Sequence, residues 1–356
     1  MAGRLVRDEK KVISTHSKKR ASSIDVAELS GVSQTTVSRV LNGKQDIVAE
    51  ETIKKVQDAV DKLGYSPNMI AKSLSRKFTR IIGIVIVNFE DTLYMKELDL
   101  FTQAFNKCDY SVMLFNATCR NGIESSLKVA MEYHVDGLII TSAQIDPSLV
   151  RWCVNLGTQI FLFNNVADEL NVSSVCCDNY AGGVAVADFL IDKGHRKLIF
   201  VSGDLSHAST VSSQREQGFF AGAAKRNVVG INKIKGDYTY ASGMDAAKQY
   251  IQEYRGADAV FISADPMARG FIDYIETRTP YRIPEDISVI GFDGIFSFEH
   301  QIKRFYSYRQ PIVKMVNVLV EHMIRAIENS NLSVVNILLP GMIVGGGSVI
   351  DRVAGC

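Results

Sequence analysis

The spacing of the apolar residues changes once along the chain, near residue 80, and that change limits the fold more than any other feature. Before it, apolar positions recur at helical spacing only. From Ile81 onward, short runs rich in β-branched residues alternate with amphipathic stretches of helix length. That is the signature of βαβ units, whose parallel strands need helices on both faces of a sheet. The spacing predicts strands at Ile81 to Val87, Val112 to Phe115, Gly137 to Thr141, Gln159 to Phe163, Leu198 to Ser202, Ile231 to Ile234, Ala259 to Ile262 and Val289 to Phe292. Helices are expected between them, as at Tyr94 to Lys107, Tyr180 to Lys193, Gln214 to Lys225 and Ser242 to Tyr254. Eight strands fit one long sheet or two doubly wound halves, each with a crevice at the carboxyl ends of its strands. Periodicity does not choose between them.

A chain of 356 residues, 46% apolar, has enough core for two or three compact units. Its apolar runs fall far short of the roughly 20 residues that cross a bilayer, and the opening MAGRLVRDEKK has no apolar signal core. A cytoplasmic protein with no membrane partner is therefore expected. The six cysteines include no C-x-x-C pair, and no histidine stands at zinc-ligand spacing. They predict buried thiols in a reducing compartment, with no metal and no cofactor.

Charge is unevenly placed. Residues 1–80 carry 16 Lys and Arg against 9 Asp and Glu, and the remainder carries 24 against 30. A surplus of positive charge at one end suits a polyanionic partner.

The purely helical region contains GVSQTTVSRVLNG, Gly31 to Gly43. Ser22 and Asp25 stand in capping-box relation and open a short helix through Ser30 that should bury Val26, Ala27 and Leu29. Gly31 breaks it. Ser33 then caps a second helix with Val37, Val40 and Leu41 inward and Thr35, Ser38, Arg39 and Asn42 on the outer face. Glu50 begins a third, with Ile53, Val56, Val60 and Leu63 inward and Gly64 at its end. Two helices joined by a glycine-containing turn, with a third behind, describe a helix-turn-helix unit. A helix that enters the major groove needs short polar groups that can approach base edges, and an arginine that can reach guanine. The second helix has both.

The text IDVAELSGVSQTTVSRVLNG, followed by VAEETIKKVQDAVDKLGYSPNMIAKSLSRKFTRIIGIVI, closely resembles the lactose/galactose repressor (LacI/GalR) family, and the likeness runs to about Leu339. It implies a sequence-specific DNA-binding regulator that binds a palindromic operator as a homodimer, represses, and answers to a small effector such as a sugar. By the likeness Gln34 and Thr35 read bases and Arg39 supports base or phosphate contact, within a DNA-facing set of Ser33, Gln34, Thr35, Thr36, Ser38, Arg39 and Asn42. Ala49 departs from the usual Ser, which should weaken the cap of the third helix by about 1 kcal/mol. In SPNMIAKSLSR, the likeness implies a hinge helix that orders over the minor groove, with Leu74 as a wedge and Asn68 and Ala71 beside it.

The family's core has two periplasmic-binding-protein-like subdomains with the effector between them. Arg215 in SSQREQGFFAG, Asp293 in ISVIGFDG and Asp265 in ISADPMARG match its ligand-binding positions, and Tyr94 and Asn164 are expected to add a wall and an amide. Ala264 stands where an Asn is usual, and Val87 and Asn88 replace a common P-D. The usual catalytic signatures are missing: no G-x-x-x-x-G-K-[ST], G-x-G-x-x-G after a strand, G-x-S-x-G or H-E-x-x-H occurs, so no catalytic residue is assigned. The expected organisation is a basic extension (1–21), a helix-turn-helix domain (22–65), a hinge (66–79), a core (80–345) and a tail (346–356). Within the core, subdomain 1 should comprise 80–177 with 310–338, and subdomain 2 should comprise 178–309 with 339–345. A constitutive DNA-binding protein whose core only dimerises, or binds a protein partner, is the alternative.

Overall fold

Ser22 starts the first helix by exchanging bonds with Asp25. Its hydroxyl accepts from the Asp25 amide at 3.3 Å, and the Asp25 carboxylate accepts from the Ser22 amide at 2.6 Å. Two of the amides a helix start leaves open are thereby satisfied. Helix α1 (Ser23–Ser30) stops at Gly31, whose φ of +66° turns its N–H back to the Ala27 and Glu28 carbonyls. Ser33 then caps α2 (Gln34–Leu41), accepting from the Thr36 amide at 3.2 Å. A short 3-10 turn (Gln45–Ile47) leads to α3 (Glu50–Leu63), whose N-cap Ala49 makes no side-chain bond. Val26, Val37, Val40, Val56 and Ala59 form the buried centre of this trihelical unit.

Leu29 and Leu63, expected in that core, are instead 51% and 36% exposed. A two-turn helix turns only one narrow stripe inward, and in α1 Val26 and Ala27 occupy it. Leu63 falls in the last turn of α3, where Val60 and Tyr65 pack against the core instead.

This computed structural model describes residues 21–41, 45–66, 78–86, 92–117, 122–141, 146–165, 170–203, 210–295, 305–329 and 332–353. Asn42, Asn68, Ala71 and Leu74 lie outside them. The chain divides into two compact units, Met1–Thr79 and Arg80–Cys356.

The second unit contains two six-stranded sheets. The first has the order β11-β5-β4-β3-β1-β2 and is parallel throughout. Its strands are β1 (Ile81–Ile86), β2 (Ser111–Asn116), β3 (Gly137–Thr141), β4 (Gln159–Phe163), β5 (Ser173–Cys177) and β11 (Asn336–Leu339). The second has the order β12-β10-β9-β8-β6-β7, with only β12 antiparallel. It uses β6 (Leu198–Ser202), β7 (Asn232–Lys235), β8 (Ala259–Ile262), β9 (Ser288–Asp293), β10 (Tyr306–Arg309) and β12 (Met342–Val344). Both follow the same winding, so each has a switch point where its first strand meets its third, and crevices open at the carboxyl ends there. The central strands are apolar on both faces because helices cover both.

In chain order the helices are α4 (Thr92–Asn106), α5 (Gly122–Glu132), α6 (Pro147–Asn155), α7 (Asn179–Asp192), α8 (Thr210–Lys225), α9 (Tyr240–Glu253), α10 (Asp265–Arg278) and α11 (Ile312–Glu328). The chain passes between the sheets three times: from β5 into α7, from β10 through Gln310 and Pro311 into α11, and from β11 into β12. The periodicity did not find β5, β10, β11 or β12. Each lies beside one of these crossings: β5 and β10 carry small or polar residues, and β11 and β12 are apolar but only four and three residues long.

Candidate functional site

Two arrangements of side chains carry chemistry, one in each unit. In the first unit, Gln34, Thr35, Ser38 and Arg39 are exposed along one side of α2, while Val37 and Val40 anchor the other. Ser33 and Thr36 are partly engaged, their hydroxyls 2.9 Å apart at the start of the helix. The Gln34 amide donates to the Ser23 hydroxyl at 2.9 Å, which ties the first turn of α2 to α1. The exposed side is therefore a ridge of short polar groups with one long cation, rigidly backed by the small core.

In the second unit, Arg215 is the centre of a buried polar network. It projects from α8, and its guanidinium spends all of its nitrogens on neighbours. Nε donates to Asn179 Oδ1 at 2.8 Å, Nη1 to the Ser263 carbonyl at 2.6 Å, and Nη2 stands 3.3 Å from Asp293 Oδ1. Its planar face lies over the Phe292 ring at 3.8 Å. Asp293, the last residue of β9, also accepts from Gln310 Nε2 at 2.7 Å. Its φ of +112° is a conformation a β-carbon disfavours, costing on the order of 1–3 kcal/mol and held here by the bonds around it. Gly294 follows because a β-carbon there would meet Arg309 Cβ at 2.4 Å.

The network continues into the first subdomain. Asn179 donates to Cys176 Sγ at 3.4 Å, Asn164 lies 3.9 Å from that sulfur, and the Asn164 amide donates to Glu97 Oε1 at 3.5 Å. Asn164 follows β4 with its backbone in the left-handed region, and its side chain is buried. Glu97, Asn164, Asn179, Arg215, Asp293 and Gln310 are all buried. Burial pushes the Cys176 and Cys177 thiols up to about 12, so they stay neutral at the centre of the network.

Of the five residues expected at the effector, Asn164, Arg215 and Asp293 are joined by this network. Tyr94 sits half-buried in the first turn of α4, three residues before Glu97. Asp265 stands apart. It is wholly buried, with Oδ1 accepting from the Ser307 hydroxyl at 2.6 Å and Oδ2 from the Ile295 amide at 2.7 Å. It ties the start of α10 to β10 and to the segment just past β9. Glu97, Asn179, Ser263 and Gln310 were not anticipated. Asn179 and Gln310 each stand just past a strand at a crossing between sheets, and the strands concerned, β5 and β10, are two of the four that periodicity missed.

A trihelical head whose second helix presents a polar ridge, on a chain whose core has two parallel-sheet lobes meeting at their carboxyl ends, defines a DNA-binding transcription regulator with a periplasmic-binding-protein-like core. The family described as bacterial regulatory proteins, lacI family, matches residues 24–68, and the periplasmic binding protein-like domain matches residues 187–349. The HTH-type transcriptional repressor PurR of Photobacterium profundum is 31% identical over 312 residues, covering 86% of this chain and 92% of PurR. A lac repressor dimer bound to operator and the anti-inducer ONPF superposes with a TM-score of 0.82 at 23% identity, covering 93% of this chain and all of that one. The transcriptional regulator CelR in complex with cellobiose superposes with a TM-score of 0.70 at 25% identity, covering 92% and 100%. The chain belongs to the lacI family of bacterial regulatory proteins, which are DNA-binding transcription regulators rather than enzymes. Among the described residues, no helix is long and apolar enough to cross a membrane, and no cluster of His, Cys, Asp and Glu could hold a metal ion.

Proposed function

We propose that two copies of this chain repress transcription by reading a near-palindromic operator, with α2 of each copy in the major groove, and that a sugar or sugar derivative bound between the core subdomains changes operator affinity. The observation that carries the effector reading is the network around Arg215. A planar five-donor cation, a carboxylate and two amides converge at the carboxyl ends of strands, which suits a ligand with many hydroxyls. Arg215 and Asp293 satisfy one another. A polyol entering the crevice would replace part of that mutual bonding with its own hydroxyls, and so would prefer one angle between the lobes over another. CelR, seen with cellobiose, supports a carbohydrate as the ligand class. On the DNA side, the ridge of α2 supports direct reading, with Thr35 and Gln34 short enough to approach bases and Arg39 long enough to reach guanine or phosphate.

Ligand and operator affinities are then linked, since each binds one lobe arrangement better. The test is calorimetric titration of the full chain against a panel of mono- and disaccharides, followed by operator binding measured by fluorescence anisotropy with and without each hit. At least one sugar should release or absorb heat, lose that heat in Asp293→Ala, and shift the operator affinity of the parent protein. No heat from any sugar, with operator binding intact, would instead indicate a regulator whose core only dimerises or docks a protein partner.

A further inference from the structure

We propose that a cavity beside the crossovers is a second ligand site, one that takes an organic anion with an apolar body. The cavity encloses about 590 Å³, a volume suited to a small metabolite. Its walls come from both lobes: α4 and α11 on one side, and the ends of β9, β10 and β12 on the other. Three cations line it, Lys96, Arg309 and Lys314, against two carboxylates, Asp293 and Glu321. Each carboxylate is shared with an arginine outside the cavity, Asp293 with Arg215 and Glu321 with Arg325. The lining thus carries one more cation than carboxylate, which suits an anion. Desolvation, together with the neighbouring Arg309 charge, lowers the Lys96 pKa, which an incoming anion would relieve.

The rest of the wall is apolar. Val313 and Met342, 54% and 61% exposed, present their side chains there together with Ile312 and Val318. Inorganic phosphate alone would leave those surfaces wet. A carboxylate or phosphate attached to a hydrocarbon or ring fills both kinds of wall, the acid group against the cations and the body against the aliphatic side chains. Because the two walls belong to different lobes joined by the Gln310 to Ile312 crossing, an occupant favours one angle between them. This site shares Asp293 and Gln310 with the network around Arg215, but Lys96, Lys314 and the aliphatic wall lie outside that network, so variants there test it separately from the sugar reading.

The test uses the full chain with 8-anilinonaphthalene-1-sulfonate, an amphipathic anion whose fluorescence reports binding. Lys96→Met and Lys314→Glu are made at exposed helix positions, and Lys128→Glu, on the remote exposed face of α5, serves as the control. Each cavity variant should weaken binding at least fivefold, the control should match the parent, and hexyl phosphate or hexanoate should displace the probe. The relative potency of those two competitors distinguishes a phosphate from a carboxylate preference. Parent-like binding in both cavity variants, equal weakening in the control, or no displacement by either anion overturns the proposal. Near-ultraviolet circular dichroism of every variant verifies that the fluorescence reports native protein.

Discussion

Arg215 Nη2 lies 3.3 Å from Asp293 Oδ1, and the two side chains are only 4% and 8% exposed. A charged pair this far from water loses the hydration of both ions, so its members depend on each other and on the amides around them. That dependence gives the first prediction. Arg215→Met strips the cation from Asp293 and leaves Gln310 as its remaining side-chain donor in this network. Removing one partner of a buried pair costs about 3–5 kcal/mol, and urea unfolding should show a fall of that order. Asp293→Asn keeps an oxygen for Gln310 and should cost less.

The head offers a gain instead of a loss. Ala49 leaves the start of α3 without a side-chain acceptor, although its backbone already has the extended conformation of an N-cap, with φ −60° and ψ 141°. Ala49→Ser should stabilise that helix by about 1 kcal/mol. A thermal melt followed by far-ultraviolet circular dichroism, compared with the parent, measures it.

Arg39 is exposed on α2 and makes no contribution to the buried centre of the head. Arg39→Ala should therefore leave the melting temperature unchanged while costing about 1–3 kcal/mol at the operator. Anisotropy titrations on specific and random duplexes separate a base contact, which changes specificity, from a phosphate contact, which weakens both alike.

Asp258 links stability to pH. Desolvation pushes its carboxyl up, but the His195 ring 3.6 Å away and the bonds from the Arg196 and Lys197 amides outweigh that and hold it below the usual value. A depressed native pKa contributes stability that is present above the unfolded value of about 3.9 and disappears as pH falls through the native one. Asp258→Asn should thus be less stable than the parent at pH 6, and the gap should close below about pH 4. Urea midpoints across that range test it.

The buried thiols should be inert. Burial raises Cys153 to about 11 and Cys176 and Cys177 to about 12, so almost none of their thiolate exists at pH 8. Alkylation read by mass spectrometry should leave all three unmodified in native protein and label them in denaturant.

The amino-acid order by itself determined the elements whose signals are local. Ser22 with Asp25, Gly31, Ser33 and Gly64 mark helix ends through bonds that span four or five residues, so α1 begins and stops, α2 begins and α3 stops there. Gly137–Thr141, Gln159–Phe163, Leu198–Ser202 and Ala259–Ile262 are strands whose apolar runs announce them, because central parallel strands are buried on both faces. Tertiary structure decided the rest. Ser173–Cys177 and Tyr306–Arg309 carry small or polar residues and become strands only because neighbours supply their ladders. The residues just past them, Asn179 and Gln310, consequently enter the polar network without any local mark. The same long-range packing separates the two aspartates that looked alike in the sequence, turning Asp265 onto Ser307 and Asp293 onto Arg215. Hydrogen bonds within a turn are written in consecutive residues, whereas a carboxylate's partner is set by which distant strands the sheet brings beside it.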